Sequence, residues 1–283
     1  MYTKIEKITT ILDQYDVFIF DIWGVLHEGG GLYEGVKDFF NNLSKSKIVR
    51  IISNAPRKRS TVAGNLQSLG LTIEENHIFT SGETTRFLIA NSERLLNIAR
   101  PKIFHVKREI NHELMSSMEH LEVGSIDHAN LVLLSAYVDE GEDVSDIMNI
   151  LDFAAKKNLL TLVANPDKQV KHLGAIRKCS GYFADYYESI GGSIKNAGKP
   201  ESEIFEECLA SIDNFDKKKA IMIGDTFHTD IKGAMNINID SGLVLTGNMG
   251  ILMQNSQILD RLDSINYICK QNAIYPTRIV SLV

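Results

Sequence analysis

Short apolar runs recur along the chain, and each breaks off in a small or acidic polar residue. Val17-Phe18-Ile19-Phe20 runs into Asp21, Val49-Arg50-Ile51-Ile52 into Ser53-Asn54, and Ala220-Ile221-Met222-Ile223 into Gly224-Asp225. Runs of this length, rich in β-branched and aromatic residues, predict strands buried on both faces, as in a parallel sheet. A charge is costly inside such a sheet and useful at its rim, because open α/β sheets bind ligands beyond the carboxyl ends of their strands. If the three strands are neighbours, Asp21, Ser53, Asn54 and Asp225 converge at one edge. For any one of these residues taken singly, an ordinary turn explains the polar stop equally well.

Between the runs, apolar residues fall at helical spacing. Helices are expected at about 4–15, at 36–43, from Pro56 through Val62, Leu66 and Leu69 to a stop at Gly70, and from 81 to about 97. Further helices are expected at about 109–118 and 143–157, from 201, from Thr229, and at about 255–271. Additional strands fall at 77–79, 102–106, 131–134, 159–163, 243–245 and 278–282. Pro200 suits the first position of its helix, with Glu201 and Glu203 in an acidic first turn. Strand alternating with helix predicts an α/β fold with a doubly wound parallel sheet. The pattern restarts at Pro101, so residues 81–193 read as a second, smaller inserted α/β domain, with 1–80 and 194–283 forming the core.

Composition narrows the function classes. At 283 residues, 44% hydrophobic and 23% charged, the sequence has the profile of an ordinary soluble globular protein of one large or two modest domains. A net charge of −6 argues against nucleic acid or an anionic membrane as partner. No apolar run approaches the roughly 20 residues of a membrane span. The first residues, Met1 to Lys7, carry an acid and no apolar core, unlike a secretory signal. Cys179, Cys208 and Cys269 are widely spaced, odd in number and without CxxC pairing, as expected of reduced thiols in the cytoplasm. Gly29-Gly30-Gly31 with Gly35 does not match a dinucleotide fingerprint. Gly198-Lys199-Pro200 is no P-loop either, because Ser193 stands where the first Gly is needed and Pro200 replaces the magnesium-holding hydroxyl. The eight histidines lack zinc-ligand spacing.

The most informative segment is Gly224-Asp225-Thr226-Phe227-His228-Thr229-Asp230. Asp225 is expected at a strand tip and Asp230 near the start of the next helix, both facing one cleft. With Asp21 they make three hard carboxylate donors, a set that suits Mg²⁺ completed by water and a substrate phosphate. A helix-capping role for Thr229-Asp230 is compatible with that ligation. Lys199, in the loop before its helix, is free to point a cation elsewhere.

Asp21-Ile22-Trp23-Gly24-Val25-Leu26, Ser53-Asn54, Lys199 and Gly224-Asp225…Thr229-Asp230 resemble the four ordered motifs of the haloacid dehalogenase-like hydrolases. The insertion, with its Asn165-Pro166-Asp167, is similar to the α/β cap of subclass IIA, which includes many sugar-phosphate and nucleotide phosphatases. The resemblance covers essentially the whole chain. It implies hydrolysis of a small phosphorylated metabolite through an aspartyl-phosphate on Asp21. It also implies Mg²⁺ held by Asp21, the backbone carbonyl of Trp23 and Asp225, with Asp230 in support. Ser53 and the amide of Asn54 would hold phosphoryl oxygens and Lys199 would neutralise the carboxylates. Asn165 and Asp167 would help select the leaving group, and Arg57 would meet an anionic substrate. Caps of this kind often pair, which leaves a homodimer open.

One departure matters. Phosphatases of this family usually carry a second Asp two residues after the nucleophile, as acid to the leaving alkoxide and base for the water. Here that position is Trp23. Losing a positioned acid/base costs about 10²–10⁴-fold in rate, roughly 3–5 kcal/mol of barrier. Three explanations stand open: His27 or Glu28 substitutes, the substrates have leaving groups that need no acid, or the protein binds phosphorylated ligands and turns them over poorly. His27 also suits a purely structural, hydrogen-bonded role. Transfer of the phosphoryl group to a second sugar is a further reading. Asp21, Asp225 and Asp230 carry −3, which Mg²⁺ and Lys199 would neutralise, so binding of a phosphate dianion can be tight even where hydrolysis is slow.

Overall fold

The computed structural model describes residues 1–108, 113–254 and 257–282. Their strands are β1 (Glu6–Lys7), β2 (Val17–Phe20), β3 (Ile48–Ser53), β4 (Ile78–Thr80), β5 (Ile103–Val106), β6 (Leu131–Leu134), β7 (Val138–Asp139), β8 (Leu160–Val163), β9 (Gln169–His172), β10 (Ala175–Lys178), β11 (Ser193–Asn196), β12 (Ala220–Gly224), β13 (Asp240–Val244) and β14 (Arg278–Ser281). The α-helices are α1 (Val36–Leu43), α2 (Arg59–Ser68), α3 (Ser81–Ala90), α4 (Ser92–Leu96), α5 (Ser145–Lys156), α6 (Ser180–Ser189), α7 (Ser202–Ala210), α8 (Lys232–Asn236), α9 (Gly247–Leu252) and α10 (Ile258–Asn272).

Seven strands form one parallel sheet in the order β1-β14-β13-β12-β2-β3-β4. Its centre shows why the apolar runs do not alternate with polar residues. Phe18 and Phe20 of β2, with Ile221 and Ile223 of β12, enter a core beneath Val36 and Phe40 of α1. Val17, Ile19, Ala220 and Met222 point the other way, onto Ile204, Phe205 and Cys208 of α7. Helices cover both faces, so both sets of side chains are buried, as a doubly wound sheet requires. Arg50 is the polar exception inside a run; its guanidinium is satisfied by Ser211, through Nε to Oγ at 3.0 Å and Nη2 to the carbonyl at 3.2 Å.

Residues from Ile103 to Asn196 build two further sheets. Strands β11-β8-β6-β5 are all parallel, with α5 and α6 on one face and α3 on the other. Strands β7-β10-β9 form a small antiparallel sheet. Helix α6 and the antiparallel sheet went unforeseen, because β9 and β10 (Gln-Val-Lys-His and Ala-Ile-Arg-Lys) are half polar and carry little apolar signal. The four-stranded sheet runs to Asn196, so the 193/194 boundary falls inside its last strand.

Several local expectations are corrected. Residues 4–15 are not an amphipathic helix: Glu6–Lys7 pair with β14 at the sheet edge, followed by two single 3₁₀ turns. A segment this short is a marginal helix, and the open sheet edge offers its backbone a better partner. Pro200 lies ahead of its helix, which starts at Ser202 after Glu201. The helix expected from Thr229 begins earlier, as a π-helical turn over Phe227–Ile231 that leads into α8. Of the helix expected at 109–118, residues 109–112 lie outside the described residues and 113–115 form a 3₁₀ turn. Residues 255 and 256, at the start of the expected final helix, also lie outside them. All three cysteines are unpaired and buried, and among the described residues no helix is long and apolar enough to cross a membrane.

Phe40 is fully buried, with its ring centroid 5.7 Å from that of Phe20. Phe40→Ala is expected to destabilise the protein by about 3–5 kcal/mol. Denaturant unfolding measures this, and a loss below about 1 kcal/mol would contradict the packing described.

Candidate active site

The topology itself selects a place for the site. From β2 the chain winds to β3 on one side, while β12, on the other side of β2, is followed by β13 further out. The order therefore reverses at β2/β12, and a crevice opens beyond their carboxyl ends. Phe20 pairs in register with Ile223 and Ile51, so the three strand tips are level. The Asp21 amide continues the ladder by donating to the Ile223 carbonyl at 2.9 Å. Asp21 and Asp225, each one residue past its strand, are therefore neighbours at the rim.

Asp21, Asp225 and Asp230 each offer a carboxylate oxygen within 4.8 Å of the others, and all three are buried. Asp225 is fixed from two sides: the Asn248 amide donates to Oδ2 at 2.6 Å and the Thr226 hydroxyl to Oδ1 at 2.8 Å. Asp230 turns back from the π-helical turn, so that Oδ2 accepts the amides of Asp225 and Thr226, both at 3.1 Å. That leaves its Oδ1 for Lys199. A Cβ at Gly24 would lie 2.2 Å from Asp225 Oδ2, and Gly24 also has a φ of +78°, so only glycine lets the loop after Asp21 approach this closely.

Lys199 is 1% exposed; its Nζ donates to Asp21 Oδ1 at 2.6 Å and to Asp230 Oδ1 at 2.7 Å. Burial alone would lower its pKa, but Asp21, Asp230 and Asp167 together outweigh that and hold the ammonium charged. Burial, followed by Asp230 and Asp21, pushes Asp225 well above the carboxylate range. Burial raises Asp21 too, against the pull of Lys199. Three carboxylates facing one ammonium leave the cluster short of positive charge, which suits a further cation.

Asn54 joins this cluster to the inserted unit. Its Oδ1 accepts the Lys199 amide at 2.8 Å, and its Nδ2 donates to Asp167 Oδ1 at 2.9 Å and to the Lys199 carbonyl at 3.2 Å. Ser53 is buried beside it and accepts the Ala55 amide at 3.2 Å. Asn165 Oδ1 accepts the Asp167 amide at 3.1 Å, which stiffens the Asn165-Pro166-Asp167 turn. Arg57, Asn165, Asp167, Asn54 and Trp23 border a cavity of about 110 Å³ between core and insertion. Asp167 also borders a second cavity of about 380 Å³, which reaches Asp225 and Thr226.

His27 is not brought into the acidic cluster. Its Nδ1 accepts the Gly29 amide at 3.0 Å, and burial, then His172, lower its pKa. Glu28 is engaged by Lys171 at 3.0 Å and by the Tyr33 hydroxyl. Trp23 lies with its ring centroid 5.0 Å from His27 and 5.5 Å from His172 of β9. The Leu173 amide donates to the Glu28 carbonyl at 3.0 Å and Asn248 Nδ2 to the Gln169 carbonyl at 3.3 Å. The β9–β10 hairpin is thus docked on the loop after Asp21. His172, Thr226 and Asn248 were missed in the sequence; His172 is a lone histidine in a polar strand, and Asn248 follows β13 without a motif.

A doubly wound sheet with an acidic rim, roofed by an inserted α/β unit, defines a capped hydrolase on a Rossmann-like core. The chain belongs to the haloacid dehalogenase-like hydrolases: residues 18–114 match the profile described as haloacid dehalogenase-like hydrolase and residues 196–260 the related HAD-hydrolase-like profile. It is 27% identical over 260 residues to a 4-nitrophenylphosphatase of Schizosaccharomyces pombe, covering 83% of this chain and 85% of that one. A structure from Cytophaga hutchinsonii, described as a possible sugar phosphatase, superposes with a TM-score of 0.76 at 26% identity over 99% of this chain and 98% of the other. A haloacid dehalogenase-like hydrolase from Brucella suis superposes with a TM-score of 0.77 at 28% identity, over 87% and 91%.

Trp23→Ala removes its ring contact with His172 of the hairpin, worth about 0.5–1.5 kcal/mol. Backbone amides of residues 169–178 are then expected to exchange hydrogen up to about tenfold faster, with β2 and β12 unchanged. Unaltered exchange in the hairpin would show that Trp23 does not hold it.

Proposed function

We propose that this protein is a Mg²⁺-dependent phosphatase of small organic phosphomonoesters, sugar phosphates or nucleotides, with Asp21 as the nucleophile. The observation that carries this reading is the meeting of Asp21, Asp225 and Asp230 with Lys199 at the switch point. The phosphatase names of the similar proteins support it.

The donor set suits the ion. Three hard carboxylate oxygens lie within 4.8 Å of one another, and beside them Asn248 has a buried Oδ1 without a hydrogen-bond partner. Asp21, the Trp23 carbonyl and Asp225 would hold Mg²⁺, with Asp230 in support. When bound it supplies positive charge against the transferring phosphoryl group.

The side chains do the rest. Asp21 attacks phosphorus, the P–O bond to the leaving group breaks, and an aspartyl-phosphate forms that water then opens. Lys199 holds Asp21 in place and balances the developing charge. The Ser53 hydroxyl and the Asn54 amide bind phosphoryl oxygens. Arg57, Asn165 and Asp167 face the rest of the substrate. Positioning and charge neutralisation account for most of the acceleration in such a transfer. The commitment of Trp23 to the hairpin favours a second reading, a phosphate-ligand binder of very slow turnover, and product analysis distinguishes phosphoryl transfer to a second sugar.

Phosphate release from a panel of phosphomonoesters is expected, abolished by Asp21→Asn and by EDTA and restored by Mg²⁺. Absence of release from every member would sink the phosphatase reading in favour of the binder. Gly24→Ala should push a methyl group against Asp225 and weaken Mg²⁺ binding about 10–100-fold. Titration calorimetry reads that affinity, and an unchanged value would remove Asp225 from the ion's ligands.

A further inference from the structure

The Trp23 indole packs on His27 and His172, His27 Nδ1 accepts the Gly29 amide, and Glu28 is engaged by Lys171 and Tyr33, which favours a proton carrier from elsewhere. In an in-line displacement the leaving oxygen sits opposite the attacking one. With Asp21 attacking from the rim of the core sheet, the leaving oxygen points up, into the roof made by the inserted unit. The acids of that roof are not equivalent. Asp139 is held by Arg177 at 2.6 Å and Asp185 by Lys168 at 2.5 Å. Asp167 instead accepts the neutral side-chain amide of Asn54, the residue that also receives the Lys199 amide. Its backbone is fixed by Asn165, it borders both cavities beside the cluster, and burial pushes its pKa up against the pull of Lys199.

We propose that Asp167 is the general acid and base of the reaction, a carboxyl supplied by the inserted unit in place of the core side chain that Trp23 displaces. The inference rests on the phosphatase reading above. In the first step the Asp21 Oδ–P bond forms as the P–O bond to the alkoxide breaks, and the Asp167 carboxyl gives its proton to the departing oxygen. The products are the alcohol, the aspartyl-phosphate and the Asp167 carboxylate. In the second step a water oxygen bonds to phosphorus, one of its protons passes to Asp167, and the bond from Asp21 to phosphorus breaks. Inorganic phosphate leaves, and both carboxyl groups return to their starting states. The Asn54 amide keeps the carboxyl over the site through both steps, and the Trp23-docked hairpin follows directly from the turn that carries Asp167.

The test uses the full-length enzyme with Mg²⁺ on 4-nitrophenyl phosphate and on an alkyl phosphate such as glycerol phosphate. An acid matters little to an acidic nitrophenol and greatly to an alcohol. Asp167→Asn, which keeps the shape of the side chain, is expected to lower kcat/KM by about 10²–10⁴-fold on the alkyl ester. The loss on the nitrophenyl ester should be less than about tenfold. Loss of the base in the second step should leave the phosphorylated enzyme to accumulate, seen as a burst of about one equivalent of nitrophenolate. Asp167→Glu, retaining a carboxyl, should recover part of the alkyl activity. Equal losses on both esters at an unchanged melting temperature, or an undiminished alkyl rate, would overturn the role of Asp167 while leaving the phosphatase reading intact. If the wild-type enzyme releases phosphate from neither ester nor from any other phosphomonoester of the panel, both fall together.

Discussion

Everything at the rim depends on one buried ammonium. Lys199 Nζ sits between Asp21 and Asp230, almost without exposure, and its position decides where the surrounding carboxylates can be. Taking a charge out of water is expensive unless it is paired and hydrogen-bonded. Here the pairing is tight enough to overcome the burial that would otherwise strip the proton from the lysine. The same bridge relieves the repulsion between Asp21 and Asp230, while Asp225, which lies outside it, is pushed up by burial and by Asp230 and Asp21. The lysine and the three aspartates form a single electrostatic unit, and changing any one of them alters the protonation of the rest.

The strands that carry this unit were legible because burial on both faces forces continuous apolar runs, and a carboxylate at the end of such a run is conspicuous. Asp21, Asp225 and Ser53-Asn54 could be placed on this basis, and Asp230 followed from its spacing. Lys199 lies in a loop that resembles, and fails to be, a P-loop, and its place between Ser53-Asn54 and Asp225 completes the order of the four motifs. What stayed hidden were features with no apolar period: the half-polar hairpin of β9 and β10, the π-helical turn that aims Asp230 backward, and Asn248. Their positions are set by tertiary contacts alone. His27 shows a different limit: proximity in sequence to Asp21 invites a chemical role, but the structure places its Nδ1 against the Gly29 amide and its ring beside Trp23.

Trp23 gives the loop after Asp21 a different task from proton transfer. Its indole packs on β9 while the Glu28 carbonyl and carboxylate take the Leu173 amide and the Lys171 ammonium. These contacts join the inserted unit to the segment that carries Asp21. The docking and the approach of Asp167 to Asn54 belong to the same arrangement, because only Lys168 and Gln169 separate Asp167 from Val170 of β9.

The last strand of the insertion has a mechanical implication. Strand β11 ends at Asn196, the Ala197 amide still donates to the Val163 carbonyl of the insertion at 3.0 Å, and Lys199 follows after a single glycine. The backbone that carries Lys199 is therefore anchored, one peptide or two away, to the last rung of the insertion's own sheet, so the placement of the ammonium beside Asp21 is tied to the folding of the inserted unit as well as of the core.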